Sequence, residues 1–120
     1  MAAIIMEGTV AKRRKWMASF KPKYFVLFET GSLLQFASSE EKSSNFKPRY
    51  SSSLSAHDTN VFVKDCGECY GMFLIELTVR VRGQDTVHEF AVESAALKLK
   101  WMKALQSISR RKEPKLKYLL

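Results

Sequence analysis

Apolar and polar residues alternate along the first three quarters of the chain, then switch to a helical period. The clearest run is 73–82. Phe73, Ile75, Leu77, Val79 and Val81 fall on one face, and Leu74, Glu76, Thr78, Arg80 and Arg82 on the other, which is mostly polar. That is the pattern of an antiparallel strand with one face on a core and the other on water. Tyr24-Phe25-Val26-Leu27-Phe28 is apolar on both faces, as a strand packed on two sides requires. Residues 4–12, 33–36, 50–56, 60–63 and 86–92 complete seven expected strands. Glu29-Thr30-Gly31-Ser32 turns the chain, so residues 24–36 read as a hairpin. Residues 66–71 and Gly83-Gln84-Asp85 read as turns, and the Ser/Glu/Lys-rich stretch 38–48 as a loop.

In the last quarter Leu97, Trp101, Leu105 and Ile108 recur at spacings of four, four and three, making one apolar stripe. Lys98, Lys100, Lys103 and Gln106 are expected to face water. Ser94 is the expected N-cap, the helix is expected over 95–109, and Pro114 forbids a long continuation. One helix with one stripe, after seven strands, is best buried as a plug in the open end of a bent antiparallel sheet or barrel.

At 120 residues the chain is expected to be one domain over 1–109, followed by a basic tail or linker over 110–120. No apolar run approaches the length needed to span a bilayer. The start has no basic region before its short apolar stretch, so no signal peptide is expected. Two cysteines are too few for a disulfide scaffold, and a cytosolic setting is expected. The charge adds the strongest functional hint. Twenty Lys and Arg against twelve Asp and Glu give +8, which points to an anionic partner.

In its order of motifs the chain resembles the pleckstrin homology (PH) domain family. Gly8-Thr9-Val10-Ala11-Lys12 matches the family's opening pattern. Phe20-Lys21-Pro22-Lys23-Tyr24-Phe25-Val26-Leu27 matches its aromatic, basic-x-basic and aromatic-strand sequence. Leu33-Leu34-Gln35-Phe36 fits the following hairpin strand. Phe90-Ala91-Val92-Glu93-Ser94 followed by a helix carrying Trp101 fits the end. The resemblance implies a mainly β fold of seven antiparallel strands, four and three, in a bent sandwich or partly open barrel capped by the C-terminal helix.

Six of the twelve residues 12–23 are basic and none is acidic. If strands flank this loop about 4.8 Å apart, Lys12, Lys21 and Lys23 converge on one small anion. Multiply charged inositol phosphates are held by several such donors around their oxygens. The resemblance implies the same three residues as head-group ligands, supported by Arg13, Arg14 and Lys15. Lys23 stands where the family's strongest binders carry Arg. Lys lacks the bidentate fork, which favours electrostatic attraction over selectivity. Trp16 and Met17, inside the basic loop, are candidate membrane contacts. Lys47 and Arg49 read as surface charge, and Trp101 as core.

The expected function is thus a non-catalytic module recruited to phosphoinositides or an anionic membrane surface, cytoplasmic and peripheral. The alternative is a protein-interaction or autoregulatory module of a larger signalling protein. Nucleic acid is disfavoured, because no exposed aromatics interleave the basic residues on a strand face. Cys66-x-x-Cys69 is half a zinc motif without a second pair, and no metal or cofactor is expected. No nucleophile motif, phosphate-binding Gly-rich loop or carboxylate pair appears, so no catalytic residue is expected.

Overall fold

The computed structural model describes residues 3–13 and 20–109. The candidate residues Arg14, Lys15, Trp16 and Met17, and the tail 110–120, lie outside the described residues. Seven strands and two helices follow in order: β1 (Ile4–Arg13), β2 (Lys21–Phe28), β3 (Ser32–Phe36), α1 (Ser39–Ser43), β4 (Tyr50–Ser53), β5 (Thr59–Cys69), β6 (Met72–Val81), β7 (Gln84–Val92) and α2 (Ala95–Ser109). The strands form one antiparallel sheet in the order β4-β3-β2-β1-β7-β6-β5.

The expected division into four and three strands is visible at β1. That strand pairs with β2 from Ile4 to Lys12, but with β7 only over Ala11–Arg13. The sheet also curls. Four steps separate β4 from β7, which on a flat sheet is about 19 Å. Yet Tyr50 of β4 and His88 of β7 have Oη and Nε2 3.3 Å apart. The edge strand β4 therefore curls over to meet β7 across an open mouth.

The inner face is the core. Val10, Phe25, Leu27, Leu33, Ile75, Leu77, Val79, Phe90 and Val92 are buried on it, and α2 closes it with Trp101, Leu105 and Ile108. Trp101 stands edge-on to both Phe25 and Phe90, with ring centroids 6.3 and 6.2 Å away. The helix stripe is thus a plug, as its spacing requires. Ser94 caps it: its Oγ accepts the Leu97 N–H at 3.1 Å.

Several boundaries differ from expectation, each for a local reason. The polar stretch 38–48 contains α1, a short helix with no buried residue. Ser38 caps it and accepts the Glu41 N–H, and its first turn is acidic. The expected turn at 66–71 shrinks to Tyr70-Gly71, because β5 continues through a bulge between Asp65 and Glu68 and pairs Cys69 with Met72. Likewise the β6–β7 turn is Arg82-Gly83, with Gln84 already paired to Val81. Both are two-residue turns with positive φ at both positions, the geometry that suits the twist of a hairpin. Lys98 does not simply face water. Its ammonium lies 5.5 Å from the Phe73 ring centre and donates to Asp65 Oδ1 at 2.8 Å, tying α2 to β5. Gly31 is required where it stands: its φ is +93°, and a Cβ there would collide with the Ser55 hydroxyl.

Candidate functional site

Strand register decides where the basic residues point. Lys12 lies directly across from Lys21, and Val10 across from Lys23. Residues opposite each other in an antiparallel pair share a face, as do residues two apart in one strand. Lys12, Lys21 and Lys23 therefore share the inner face with Val10 and Phe25. On the other side Lys12 pairs with Phe90, which puts His88 on that face as well. Phe25 pairs with Gln35, and Gln35 with Tyr50. Because the sheet curls, these residues ring one mouth at the end where β1 leaves toward β2.

Lys12 sits at its centre. Its Nζ donates to Gln35 Oε1 at 2.6 Å and lies 5.3 Å from the Tyr50 ring centre and 5.8 Å from that of Phe25. A half-buried ammonium held by an amide and two ring faces is fixed in position. Lys23 is half-buried and Lys21 exposed. The Lys23 charge acts on Glu41. Its carboxyl is held below the usual range first by Arg49, then by the Ala37 N–H, with the Lys23 charge a further cause. Arg49 spans that carboxylate, with Nη2 2.7 Å from Oε2. Arg49 is thus an ion-paired rim residue.

Arg13 points the other way. It alternates with Lys12 and pairs with Glu89 on the outer face, where Nη2 is 2.8 Å from Oε2 and the guanidinium lies 4.5 Å from the Phe20 ring centre. The structure therefore brings together Lys12, Lys21 and Lys23, and separates Arg13 from them.

Sequence reasoning missed Gln35, Tyr50 and His88 as wall residues. A signal existed for two of them. Gln35 is the polar position in the otherwise apolar run 33–36, and His88 keeps phase with Phe90 and Val92. Tyr50 reaches the site only through the curl, which no local pattern encodes.

His88 is buried at 4% exposure and its ring is edge-on to Tyr50 at 5.0 Å. Burial, with the Lys12 charge as a lesser cause, pushes its pKa from 6.5 down to about 4. An imidazole with a depressed folded pKa makes the unfolded chain the better proton binder between those values. Its stability contribution is therefore full above pH 6.5 and is lost as pH falls toward 4. The complete loss is about 3 kcal/mol. Urea midpoints measured across that window should fall more steeply for the native chain than for His88→Gln. Parallel curves would contradict this assignment.

Cys66 and Cys69 are free and exposed, and burial raises the Cys66 thiol pKa. Among the described residues no group of three or more His, Cys, Asp or Glu is placed to hold a metal, and no helix is long and apolar enough to cross a membrane.

Comparison with known proteins agrees with this architecture. The family model of the PH domain matches residues 4–110. The C-terminal PH domain of pleckstrin, solved in complex with D-myo-Ins(1,2,3,5,6)P5, superposes with a TM-score of 0.67 at 17% identity, covering 92% of this chain and 99% of that one. The Slm1 PH domain, solved in complex with phosphoserine, superposes with a TM-score of 0.64 at 19% identity, covering 89% and 96%. The serine/threonine-protein kinase akt-1 of Caenorhabditis elegans is 24% identical over 109 residues. The match covers 90% of this chain but only 19% of the kinase. With seven antiparallel strands, a plugging C-terminal helix and a family match over nearly its whole length, this chain belongs to the PH domain family.

Proposed function

We propose that this chain is a non-catalytic membrane-recruitment module that binds the phosphorylated head groups of phosphoinositides, cytoplasmic and peripheral at the membrane. One observation carries the reading: strand register sets Lys12, Lys21 and Lys23 on one face of a mouth walled by Gln35, Tyr50 and His88. Three ammonium groups match the charge of a polyphosphorylated ring, and the neutral donors suit its remaining oxygens. The pleckstrin domain bound to an inositol pentakisphosphate shares the fold and lends support.

In this reading Arg14 and Lys15 add attraction to the anionic surface, at about 1 kcal/mol per basic residue near it, and Trp16 and Met17 enter the interface. Arg13 serves through long-range charge, since its guanidinium is held by Glu89 on the outer face. Residues 1–109 act as one domain and 110–120 as a basic tail or linker.

Vesicle sedimentation tests the reading. Phosphatidylcholine vesicles carrying a phosphatidylinositol bisphosphate should bind more tightly than vesicles of equal charge carrying phosphatidylserine. Equal binding to both, falling steeply with salt, would reduce the site to a generic cationic surface.

A further inference from the structure

We propose that Cys66, Cys69 and Met72 form a three-sulfur site on the outer face of the β5–β6 hairpin that binds one soft monovalent metal ion, Cu(I). The site lies outside the head-group mouth, and the inference does not depend on the membrane reading above.

The bulge in β5 brings the sulfurs to one face. Residues three apart in a straight strand point to opposite faces. Here Asp65 pairs with Ile75 and Glu68 with Phe73, so Cys66 and Gly67 share the place opposite Leu74. Ile75 and Phe73 belong to the core side of β6 and Leu74 to the outer side. The extra residue therefore keeps Asp65 and Glu68 in phase with the core side and sets both Cys66 and Cys69 on the outer one. The bulge is held by its own contacts. Gly67 takes the left-handed step at φ +81°, and its N–H donates to Asp65 Oδ1 at 2.8 Å.

Met72 completes the set. It is the direct partner of Cys69 across the two-residue turn. Opposed residues have Cβ atoms about 5 Å apart, and a diagonal pair such as Cys66 and Met72 is about 7–8 Å apart, within reach of a long side chain. Two ladder steps, about 7 Å, separate Cys66 from Cys69 along β5. Both thiols are free and exposed, and Met72 is half-buried. Cys66 lines an outer-face groove of about 150 Å³, and Cys69 and Met72 line another of about 260 Å³. Arg13, Phe20 and Leu74 line both, so the two grooves adjoin.

The donor set names the ion. Two thiolates and a thioether are soft ligands, and soft ligands select Cu(I). The unbranched Met side chain is flexible enough to close on it. Zinc takes four ligands, and among the described residues no group of three or more His, Cys, Asp or Glu is placed to hold a metal. Binding involves no redox change. Two S–H bonds break, two Cu–S bonds to thiolate and one to the thioether form, and both protons pass to solvent.

The test titrates the reduced native chain with Cu(I) against the chelator bicinchoninate, in oxygen-free buffer with ascorbate. The chain should take one ion and keep its elution volume on gel filtration. Cys66→Ser and Cys69→Ser should each lose more than about a hundredfold in affinity, beyond the cost of losing an outer contact, and Met72→Leu about tenfold. The metal-free variants should keep the native melting temperature. Failure to draw Cu(I) from bicinchoninate overturns the inference. Native affinity in Cys66→Ser or Cys69→Ser overturns it, since one thiol would then suffice, and native affinity in Met72→Leu shows the thioether idle and does the same. A shift to a dimer on loading also overturns it, since the ion would then bridge two copies. Copper-edge X-ray absorption of the loaded native chain reads the site without any variant. Three sulfur neighbours support the assignment, and nitrogen, oxygen or only two sulfur neighbours overturn it.

Discussion

A variant carrying both Lys12→Ala and Lys23→Ala will lose at least about thirtyfold in affinity for phosphoinositide vesicles, as each charge-assisted contact contributes about 1–3 kcal/mol and 1.4 kcal/mol is tenfold. The effect should exceed that of removing two basic residues elsewhere, for a geometric reason. Lys12 is pre-positioned by Gln35 and two ring faces, so little side-chain freedom is lost when it meets a phosphate. Of the three lysines, Lys21 then remains on the inner face of the hairpin, exposed. Arg13→Ala is the matched control. It deletes a basic residue one position away but on the outer face, where Glu89 already holds it. Its loss should be only a few-fold. The sign of a second readout is also fixed. Removing the Lys12 charge relieves one cause of the depressed His88 pKa, so that pKa should rise in the variant. Equal losses for Arg13→Ala and the double variant would show that only total charge matters.

Trp101→Ala should have the largest effect on stability, about 3–5 kcal/mol, a large part of what a domain of this size has in total. The side chain is 2% exposed and stands edge-on to Phe25 and Phe90, which are themselves edge-on at 5.7 Å. Truncation removes transfer free energy, opens a cavity and breaks two aromatic contacts at once. Leu99 on the same helix is 54% exposed, and Leu99→Ala should change stability by no more than about 0.5 kcal/mol. Urea denaturation of the two variants separates plug from surface. Similar midpoints would contradict the assignment of Trp101 as the plug. The consequence reaches the site, because Phe25 and Phe90 lie under the mouth: Phe25 below Lys12, and Phe90 opposite it on β7. The helix stripe therefore supports the floor on which the ammonium groups stand.

How much of this is legible in the sequence depends on whether a residue's neighbours are near along the chain. The alternation over 73–81 marked a strand because one face is core: Ile75, Leu77 and Val79 are buried, and only Val81 at the end is exposed. The helix was legible from Trp101, Leu105 and Ile108 for the same reason. α1 was not, because none of its five residues is buried and no apolar stripe exists to read. The far end of β5 was missed likewise. Residues 64–69 are exposed throughout, so what holds them is the ladder to β6 and not a hydrophobic pattern.

The site divides along the same line. Lys12, Lys21 and Lys23 were visible as a dense charge run around an expected hairpin. Their neutral companions come from β3, β4 and β7 and meet only because the sheet curls. The opposed facing of Lys12 and Arg13 was available from strand periodicity. It was obscured by reading the basic run as one block, and the register with Glu89 resolves it. The excess charge of the chain is thus less informative than its distribution over two faces of one hairpin.

The most direct test of the central claim is a site-resolved NMR titration of the native chain with inositol hexakisphosphate. If the mouth is the head-group site, amide and side-chain shifts will concentrate at Lys12, Lys21, Lys23, Gln35 and His88, while Glu89 and Leu74 on the outer face stay in place. Shifts centred on the outer face around Arg13, with the Lys12 row unperturbed, would contradict it.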